Sequence, residues 1–188
     1  MHRIKGIFRK GIHPLTIERN NLFIPSKLDY ARGVRPAVDC ILCSIIEGDA
    51  VVERLELWRD SNVLVTANIH PYNPGHLMVL PLRHVVDPRD LTPLEWQAMN
   101  RTVCKCMSVL EGAYQPSGFN VGFNTGGASG ASIDHLHMHI VPRYHRELGF
   151  MDIIGGSRII VEDPVRMVEQ LSVFFQGWSS VEENGVEK

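Results

Sequence analysis

The fold is decided by the stretch His135-Leu136-His137-Met138-His139-Ile140-Val141, in which imidazole and apolar side chains alternate. Successive side chains of a β-strand point to opposite faces. A strand over residues 132–141 would therefore place the three histidines on one face and the apolar residues against a core. Three groups that titrate near neutral pH or bind metals would then lie about 6–7 Å apart. We predict a functional site on this face, and a histidine-rich surface strand or a plain metal site is the alternative.

A glycine-rich loop, Asn124-Thr-Gly-Gly-Ala-Ser-Gly-Ala-Ser132, leads directly into the three histidines. Glycines let backbone N–H groups approach an anion closely, and serine adds a hydroxyl donor. Histidine can act at phosphorus both as a nucleophile and as a proton carrier. A phosphate cradle followed by histidines therefore indicates chemistry at a phosphoryl group.

The rest of the chain predicts an α+β fold with a mainly antiparallel sheet of about five strands and two main helices. β-branched and apolar runs bounded by proline and glycine predict the other strands, at 51–58, 63–67, 76–81 and 119–123. A short helix is predicted at 41–47. The first main helix begins with Thr92, Pro93 and Glu95 as a capping box, and the second spans 165–175. One apolar face of the first main helix is predicted from Trp96, Met99, Val103, Met107 and Leu110.

Length and composition favour one domain with extensions. We expect an N-terminal extension over 1–36, a domain over 37–178 and a flexible tail over 179–188. The net charge of -2 argues against nucleic acid or an anionic membrane as a partner. No apolar run approaches the roughly 20 residues that span a bilayer, and the basic N-terminus lacks the features of a secretory signal. A cytoplasmic location is therefore expected.

The stretch HLHMHIV matches the His-Φ-His-Φ-His-Φ-Φ signature of the histidine triad (HIT) superfamily, in which Φ is apolar. Residues 68–84 resemble the strand–loop–strand that precedes the first main helix in this superfamily. Residues 118–143, 150–156 and 22–30 resemble the bacterial branch related to diadenosine tetraphosphate (Ap4A) phosphorylase. The resemblance covers roughly residues 20–175 and implies a HIT-like fold.

In that family the middle histidine attacks the α-phosphate, so the resemblance implies that His137 is the nucleophile. The resulting nucleotidyl–imidazole would be resolved by water, phosphate or another acceptor. The resemblance also implies that His139 contacts phosphate and helps to protonate the leaving group. Glutamine replaces this third histidine in the uridylyltransferase-type branch, which argues against a hexose-phosphate nucleotidyltransferase. Some members carry glutamine where this chain has Ala131, which weakens the case for a phosphoramidase-type activity.

The resemblance also assigns nucleotide contacts. Asn68 matches the position that binds ribose hydroxyls, and the positions that contact phosphates are Asn124, Gly130 and Ser132. An adenine pocket is expected from Val63, Val65 and Ile69. Asn68 capping its own turn, Asn124 in a left-handed turn and Ser132 as a solvated hydroxyl are the competing structural interpretations.

Cys40 and Cys43 form a C-x-x-C pair, which alone could be a redox pair or two buried cysteines. Zinc-bearing HIT relatives combine such a pair with the histidine that follows the second strand and the first triad histidine. Here these are His84 and His135, and two thiolates with two imidazoles make a closed tetrahedral zinc set. The resemblance therefore implies a structural Zn²⁺, and no organic cofactor is expected.

The expected substrate is an adenine nucleotide or a dinucleoside polyphosphate, with Ap4A favoured. Phosphorolysis would give ATP and ADP, and hydrolysis would give mononucleotides. The alternatives are a hydrolase of nucleoside phosphoramidates or other adenylate conjugates, and a slow-turnover nucleotide-binding sensor. HIT relatives commonly dimerise by pairing their sheets and the long helix, so the resemblance also implies a homodimer.

Overall fold

A computed structural model describes residues 36–145, 147 and 162–178 of the chain. The expectations for residues 1–35, for 150–156 and for the tail 179–188 lie outside these residues. The described elements are three helices and five strands, in chain order α1 (Ile41–Glu47), β1 (Glu56–Arg59), β2 (Val63–Ala67), β3 (Leu77–Pro81), α2 (Pro93–Tyr114), β4 (Gly118–Phe123), β5 (Met138–Arg143) and α3 (Pro164–Phe175). Within the described part of the chain, no helix has the length and apolar character needed to cross a membrane.

The five strands form one antiparallel sheet in the order β1-β2-β3-β5-β4, which confirms the predicted α+β class. The last strand, β5, lies between β3 and β4, so the chain order of the strands is not their spatial order. Met78 of β3 lies opposite His139 of β5. This pairing brings the loop before β3 next to the histidine-bearing strand.

Both faces of the central strands are buried, and each face has its own apolar cluster. On one face, Val63 and Val65 of β2 pack with buried side chains of α2 and α3. On the other face, Leu64 of β2 packs with Leu42 and Ile45 of α1. Side chains alternate across a strand, so each β2 residue belongs to one of the two clusters only. The cavity described below lies on the α1 face.

The two predicted main helices are confirmed, and their caps explain where they begin. The Thr92 side chain accepts a hydrogen bond from the Glu95 N–H, and the Glu95 carboxylate accepts one from the Thr92 N–H, so α2 begins with a capping box. Asp163 caps α3 in the same position. The predicted apolar face of α2 is wrong at Trp96, which is 43% exposed. Its indole stacks on the ring of Phe123 on the edge strand β4 and does not enter the core between the helices and the sheet.

The predicted strand over 132–141 is wrong at its start, because β5 begins only at Met138. His135 and His137 precede the strand. The N–H of Leu136 donates to the carbonyl of Val85 at 2.6 Å, so this segment is bonded to the chain after β3 and not to a neighbouring strand. The predicted strand over 51–58 is likewise shorter, since the N–H of Val52 bonds back to Asp49 in a turn.

Candidate active site and metal centre

A cavity of about 440 Å³ lies on the α1 face of the sheet. Its wall combines α1, the segment before β1, the loop after β2 and the glycine-rich loop. Six residues that the sequence analysis assigned to nucleotide contacts or catalysis line this one cavity, namely Asn68, Asn124, Gly130, Ser132, His137 and His139. A concave site of this size with an apolar wall and a few polar groups is typical of a small-molecule site.

The apolar wall of the cavity differs from the one expected. Val63 and Val65 have no solvent exposure and belong to the cluster on the opposite face of the sheet, so they do not line the cavity. Ile69 does line it, as expected. Much of the remaining apolar wall comes from α1 and the segment after it, through Ile41, Leu42, Ile45, Val52 and Leu55. These residues were not predicted from the sequence, although the C-x-x-C at the start of α1 was a signal that a metal holds this helix against the sheet.

His137 is buried, with 7% exposure, at the inner end of the cavity. Its Nδ1 atom lies 2.7 Å from the carbonyl oxygen of His135, so Nδ1–H is the donor and Nε2 keeps the lone pair. Burial lowers the pKa of His137 below its ordinary value. The imidazole is therefore neutral near pH 7 and presents an unprotonated Nε2.

His139 is held by a hydrogen-bond chain that begins at the backbone of Tyr72. The Tyr72 N–H donates to Nδ1 of His76 at 3.0 Å, so neutral His76 carries its proton on Nε2. That Nε2–H donates to Nδ1 of His139, also at 3.0 Å, which leaves the His139 proton on Nε2. The Asn124 Nδ2 atom lies 3.2 Å from this Nε2, so the proton on Nε2 requires the Asn124 amide to turn and accept it through Oδ1. The chain fixes both the ring orientation and the tautomer of His139.

Burial keeps this histidine pair neutral. Burial, followed by the neighbouring imidazoles of His139 and His137, lowers the pKa of His76 to about 3. Burial and the neighbouring His137 lower the pKa of His139 to about 4. The contact between His76 and His139 was not predicted from the sequence, since the two residues are far apart in the chain.

The three triad histidines all lie on the α1 side of the sheet, whereas Met138 and Ile140 pack in the cluster on the opposite face, as the alternation predicts. The rings of His137 and His139 lie 4.7 Å apart at the cavity. His135 instead directs Nδ1 towards two sulfur atoms, at 3.7 Å from Cys40 Sγ and 3.5 Å from Cys43 Sγ. His135 does not line the cavity with the other two because it lies beside the start of α1, where Cys40 and Cys43 are placed.

The second cluster combines Cys40, Cys43, His84 and His135, and one ligand atom from each lies within 4.8 Å of the others. Cys43 Sγ is 3.2 Å from His84 Nδ1. Zn–S and Zn–N bond lengths place tetrahedral ligand atoms about 3.3–3.8 Å apart, so the donor set and its spacing fit zinc. His135 Nε2 lies 3.0 Å from the carbonyl oxygen of Pro81, which commits its proton there and leaves Nδ1 for a metal.

In this cluster the Cys43 thiol is protonated and the His135 imidazole is neutral near pH 7. Burial, followed by the hydrogen bond and charge of the neighbouring Cys40, raises the pKa of the Cys43 thiol to about 11. Burial lowers the pKa of His135 to about 4, so this ligand is already neutral. A metal ion that binds here must displace the Cys43 thiol proton.

A family model for the HIT domain matches residues 51–146, slightly more than half of the chain. The AP-4-A phosphorylase of Mycobacterium tuberculosis is 44% identical over 109 residues, which are 57% of this chain and 56% of that protein. The asymmetrical bis(5'-nucleosyl)-tetraphosphatase of Schizosaccharomyces pombe is 34% identical over 87 residues, 46% of this chain and 48% of that protein. The chain thus matches about half the length of these curated relatives.

The solved structures agree with the sequence relatives. The crystal structure of a Zn-bound histidine triad family protein from Mycobacterium smegmatis has a TM-score of 0.60 and 27% identity, and covers 72% of this chain and 91% of that one. The family-model match, the sheet order and the histidine motif point to the same conclusion. This chain belongs to the HIT domain family.

Proposed function

We propose that this protein transfers or hydrolyses nucleotides through a covalent nucleotidyl intermediate on His137, with diadenosine polyphosphates and above all Ap4A as substrates. The observation that carries the proposal is the hydrogen bond from His137 Nδ1 to the His135 carbonyl, which leaves Nε2 unprotonated in a cavity of nucleotide size. The names of the relatives in Mycobacterium tuberculosis and Schizosaccharomyces pombe support the substrate class.

In the first step, the lone pair of His137 Nε2 attacks the α-phosphorus of the substrate. A P–N bond forms and the P–O bond to the remaining polyphosphate breaks, so ATP leaves as an anion from Ap4A. The positive charge that develops on the imidazole is stabilised by the His135 carbonyl, which accepts the Nδ1–H. The departing oxygen accepts a hydrogen bond from Nε2–H of His139, whose tautomer is fixed by His76.

In the second step, an oxygen of inorganic phosphate or of water attacks the same phosphorus. The P–N bond breaks, the electron pair returns to His137 Nε2, and the attacking water or phosphate releases its proton to solvent. Attack by phosphate gives ADP, so Ap4A would yield ATP and ADP. Attack by water gives AMP, so Ap4A would yield ATP and AMP.

The binding roles follow from the positions around the cavity. Asn68 Oδ1 accepts the N–H of His70 at 2.9 Å, so this side chain does cap its own turn, and its amide nitrogen remains to bind a ribose hydroxyl. Gly130 has a φ of 86°, a left-handed conformation that favours glycine, in the loop that would present N–H groups to the phosphates. Asn124 and Ser132 would add side-chain contacts. The base would pack against the apolar wall from α1.

We also propose that Cys40, Cys43, His84 and His135 bind a structural Zn²⁺. Four protein ligands leave no open position, so the ion would supply stability and not Lewis-acid catalysis. It would hold α1 against the sheet, because two ligands lie at the start of that helix. Free thiol ligands suit a reducing compartment, which supports the expected cytoplasmic location.

A homodimer is proposed through the edge strand β4. Among the described residues no strand pairs with the outer edge of β4, and Val121 on this strand is 43% exposed beside the stacked Trp96 and Phe123 rings. An apolar edge strand is a ready site for pairing with another chain. Val121→Lys should convert a dimer to a monomer in sedimentation velocity, whereas Val173→Lys, at an exposed position on α3, should leave the dimer intact. A monomeric wild-type protein would contradict this proposal.

The activity is tested by incubating the purified protein with Ap4A, with and without inorganic phosphate, and separating the products. ATP plus ADP appearing only with phosphate supports a phosphorylase. ATP plus AMP without phosphate supports a hydrolase. Turnover in neither tube would remove Ap4A as the substrate, and hydrolysis of adenosine phosphoramidates or a nucleotide-sensing role would then be tested.

A further inference from the structure

Tyr72 places an aromatic ring beside the histidine pair at the cavity. The ring lies 4.8 Å from the His76 ring and 5.8 Å from the His139 ring, tilted by 31° and 32°. Tyr72 is nevertheless 48% exposed and lines the cavity. One face of the phenol ring therefore covers the imidazoles, and much of the remaining ring surface is open to solvent and to a ligand.

The position of this ring is fixed by the backbone that carries it. The Tyr72 N–H donates to His76 Nδ1, and His76 itself is fully buried. The residue lies between Pro71 and Asn73, and Asn73 is also fully buried and donates to the carbonyl of Pro142 at 2.6 Å. A ring held in this way loses little conformational freedom when a ligand stacks on it.

Tyr72 is also separate from the apolar wall that is proposed to hold the base of the nucleotide transferred to His137. That wall belongs to the cluster around α1, and Tyr72 is not a member of this cluster. Its ring contacts are with His76 and His139, and His139 is the residue proposed to contact the departing oxygen. Tyr72 therefore lies on the side of the site from which the leaving group departs.

We infer that Tyr72 is a stacking platform for the base of the leaving nucleotide, and that it selects dinucleoside polyphosphates over mononucleotide substrates. This inference rests on the proposed function. It adds a binding site for the base of the leaving nucleotide, which the other proposed contacts do not provide. Every nucleobase has an aromatic face, so stacking would be tolerant of base identity. A polyphosphate linker is flexible and can bend to bring the second base onto the ring.

The test measures binding in a His137→Ala background, where neither ligand is consumed. Titration calorimetry compares Ap4A with adenosine 5'-tetraphosphate, which has the same phosphate chain and no second nucleoside. Tyr72→Leu should reduce the affinity for Ap4A relative to the tetraphosphate by about tenfold, as expected for the loss of one stacked base. Tyr72→Phe keeps the ring and should preserve the ratio. The charge difference between the two ligands is the same for each variant, so it does not affect this comparison.

An unchanged ratio of the two affinities in Tyr72→Leu would overturn the inference. If both affinities fall by the same factor, the ring only supports His76 and His139. Turnover of Ap4A by the wild-type protein separates the two proposals: if turnover is seen and the ratio does not change, only the inference about Tyr72 fails. If wild-type protein neither turns over nor binds Ap4A, both fail.

Discussion

His76 Nε2 lies 3.0 Å from His139 Nδ1; His76 directly precedes β3 and His139 lies on β5, two strands that are far apart in the chain and adjacent in the sheet. His76 has no solvent exposure and receives the Tyr72 N–H on its other nitrogen. The pair therefore has one stable arrangement of protons, with His76 as donor and His139 as acceptor. The arrangement leaves His139 with a proton on Nε2, which the Asn124 amide accepts when its Oδ1 is turned towards the ring.

Replacing His76 should reduce turnover without a comparable effect on substrate affinity. His76→Leu removes the donor that fixes the His139 tautomer, so kcat should fall about tenfold or more while KM changes little. His76→Gln retains an N–H donor and should recover part of kcat. Steady-state kinetics on both variants, with urea unfolding as a check on the fold, measures this. An equal kcat for the His76→Leu variant and the wild-type protein would show that His76 has no role in positioning His139.

Replacing His137 should separate binding from chemistry. His137→Ala removes the proposed nucleophile while the rest of the cavity wall remains, so nucleotide binding should persist and turnover should be lost. Calorimetry with AMP and product analysis with Ap4A measure the two effects. Turnover near the wild-type rate would overturn the assignment of His137.

Removing one metal ligand should destabilise the protein and weaken nucleotide binding together. Cys43→Ser should lose bound zinc in elemental analysis and lower the free energy of unfolding by about 3–4 kcal/mol when free zinc exceeds Kd several hundredfold. KM should rise, because α1 carries both the C-x-x-C and the apolar cavity wall. Cys104→Ser, at an exposed position outside the cluster, is the matched control and should match wild type. A zinc-free wild-type protein with unchanged stability after chelation would contradict the site.

Glu95 should contribute to stability in a way that depends on pH. The ion-paired hydrogen bond from Arg83, followed by the bonds from Thr92, lowers the pKa of Glu95 to about 2. The folded pKa lies below the ordinary value of 4.5, so the stabilisation is fully present above pH 4.5 and is lost as the pH falls towards 2.

The variant Glu95→Gln should therefore lower the free energy of unfolding by about 1 kcal/mol at pH 7, as expected for the loss of a capping interaction. The difference from wild type should shrink below pH 4.5. Glu111→Gln, at an exposed position on the same helix, is the control and should show no such pH dependence. A constant difference between pH 7 and pH 3 would mean that the carboxylate charge is not the cause.

The local sequence determined those features that depend mainly on residues adjacent in the chain. The apolar β-branched run of β2 predicted a buried strand, and Thr92, Pro93 and Glu95 predicted the start of α2, because strand burial and capping depend on neighbours in the chain. The glycine-rich loop and the histidine motif contain four of the cavity's polar residues, Asn124, Ser132, His137 and His139. The four donors of the candidate metal centre were identified through the family resemblance, and the structure brings them together.

Only the tertiary structure decided which of these pieces meet. Sheet order placed β5 beside β3, and this pairing brought His76 against His139. The packing of α1 on one face of β2 made that helix the cavity wall and left Val63 and Val65 on the other face. The same packing of α1 brought its two cysteines against His84 and His135. A linear sequence specifies the local conformation of each segment, but the choice of spatial neighbours depends on how all the apolar faces are buried at once.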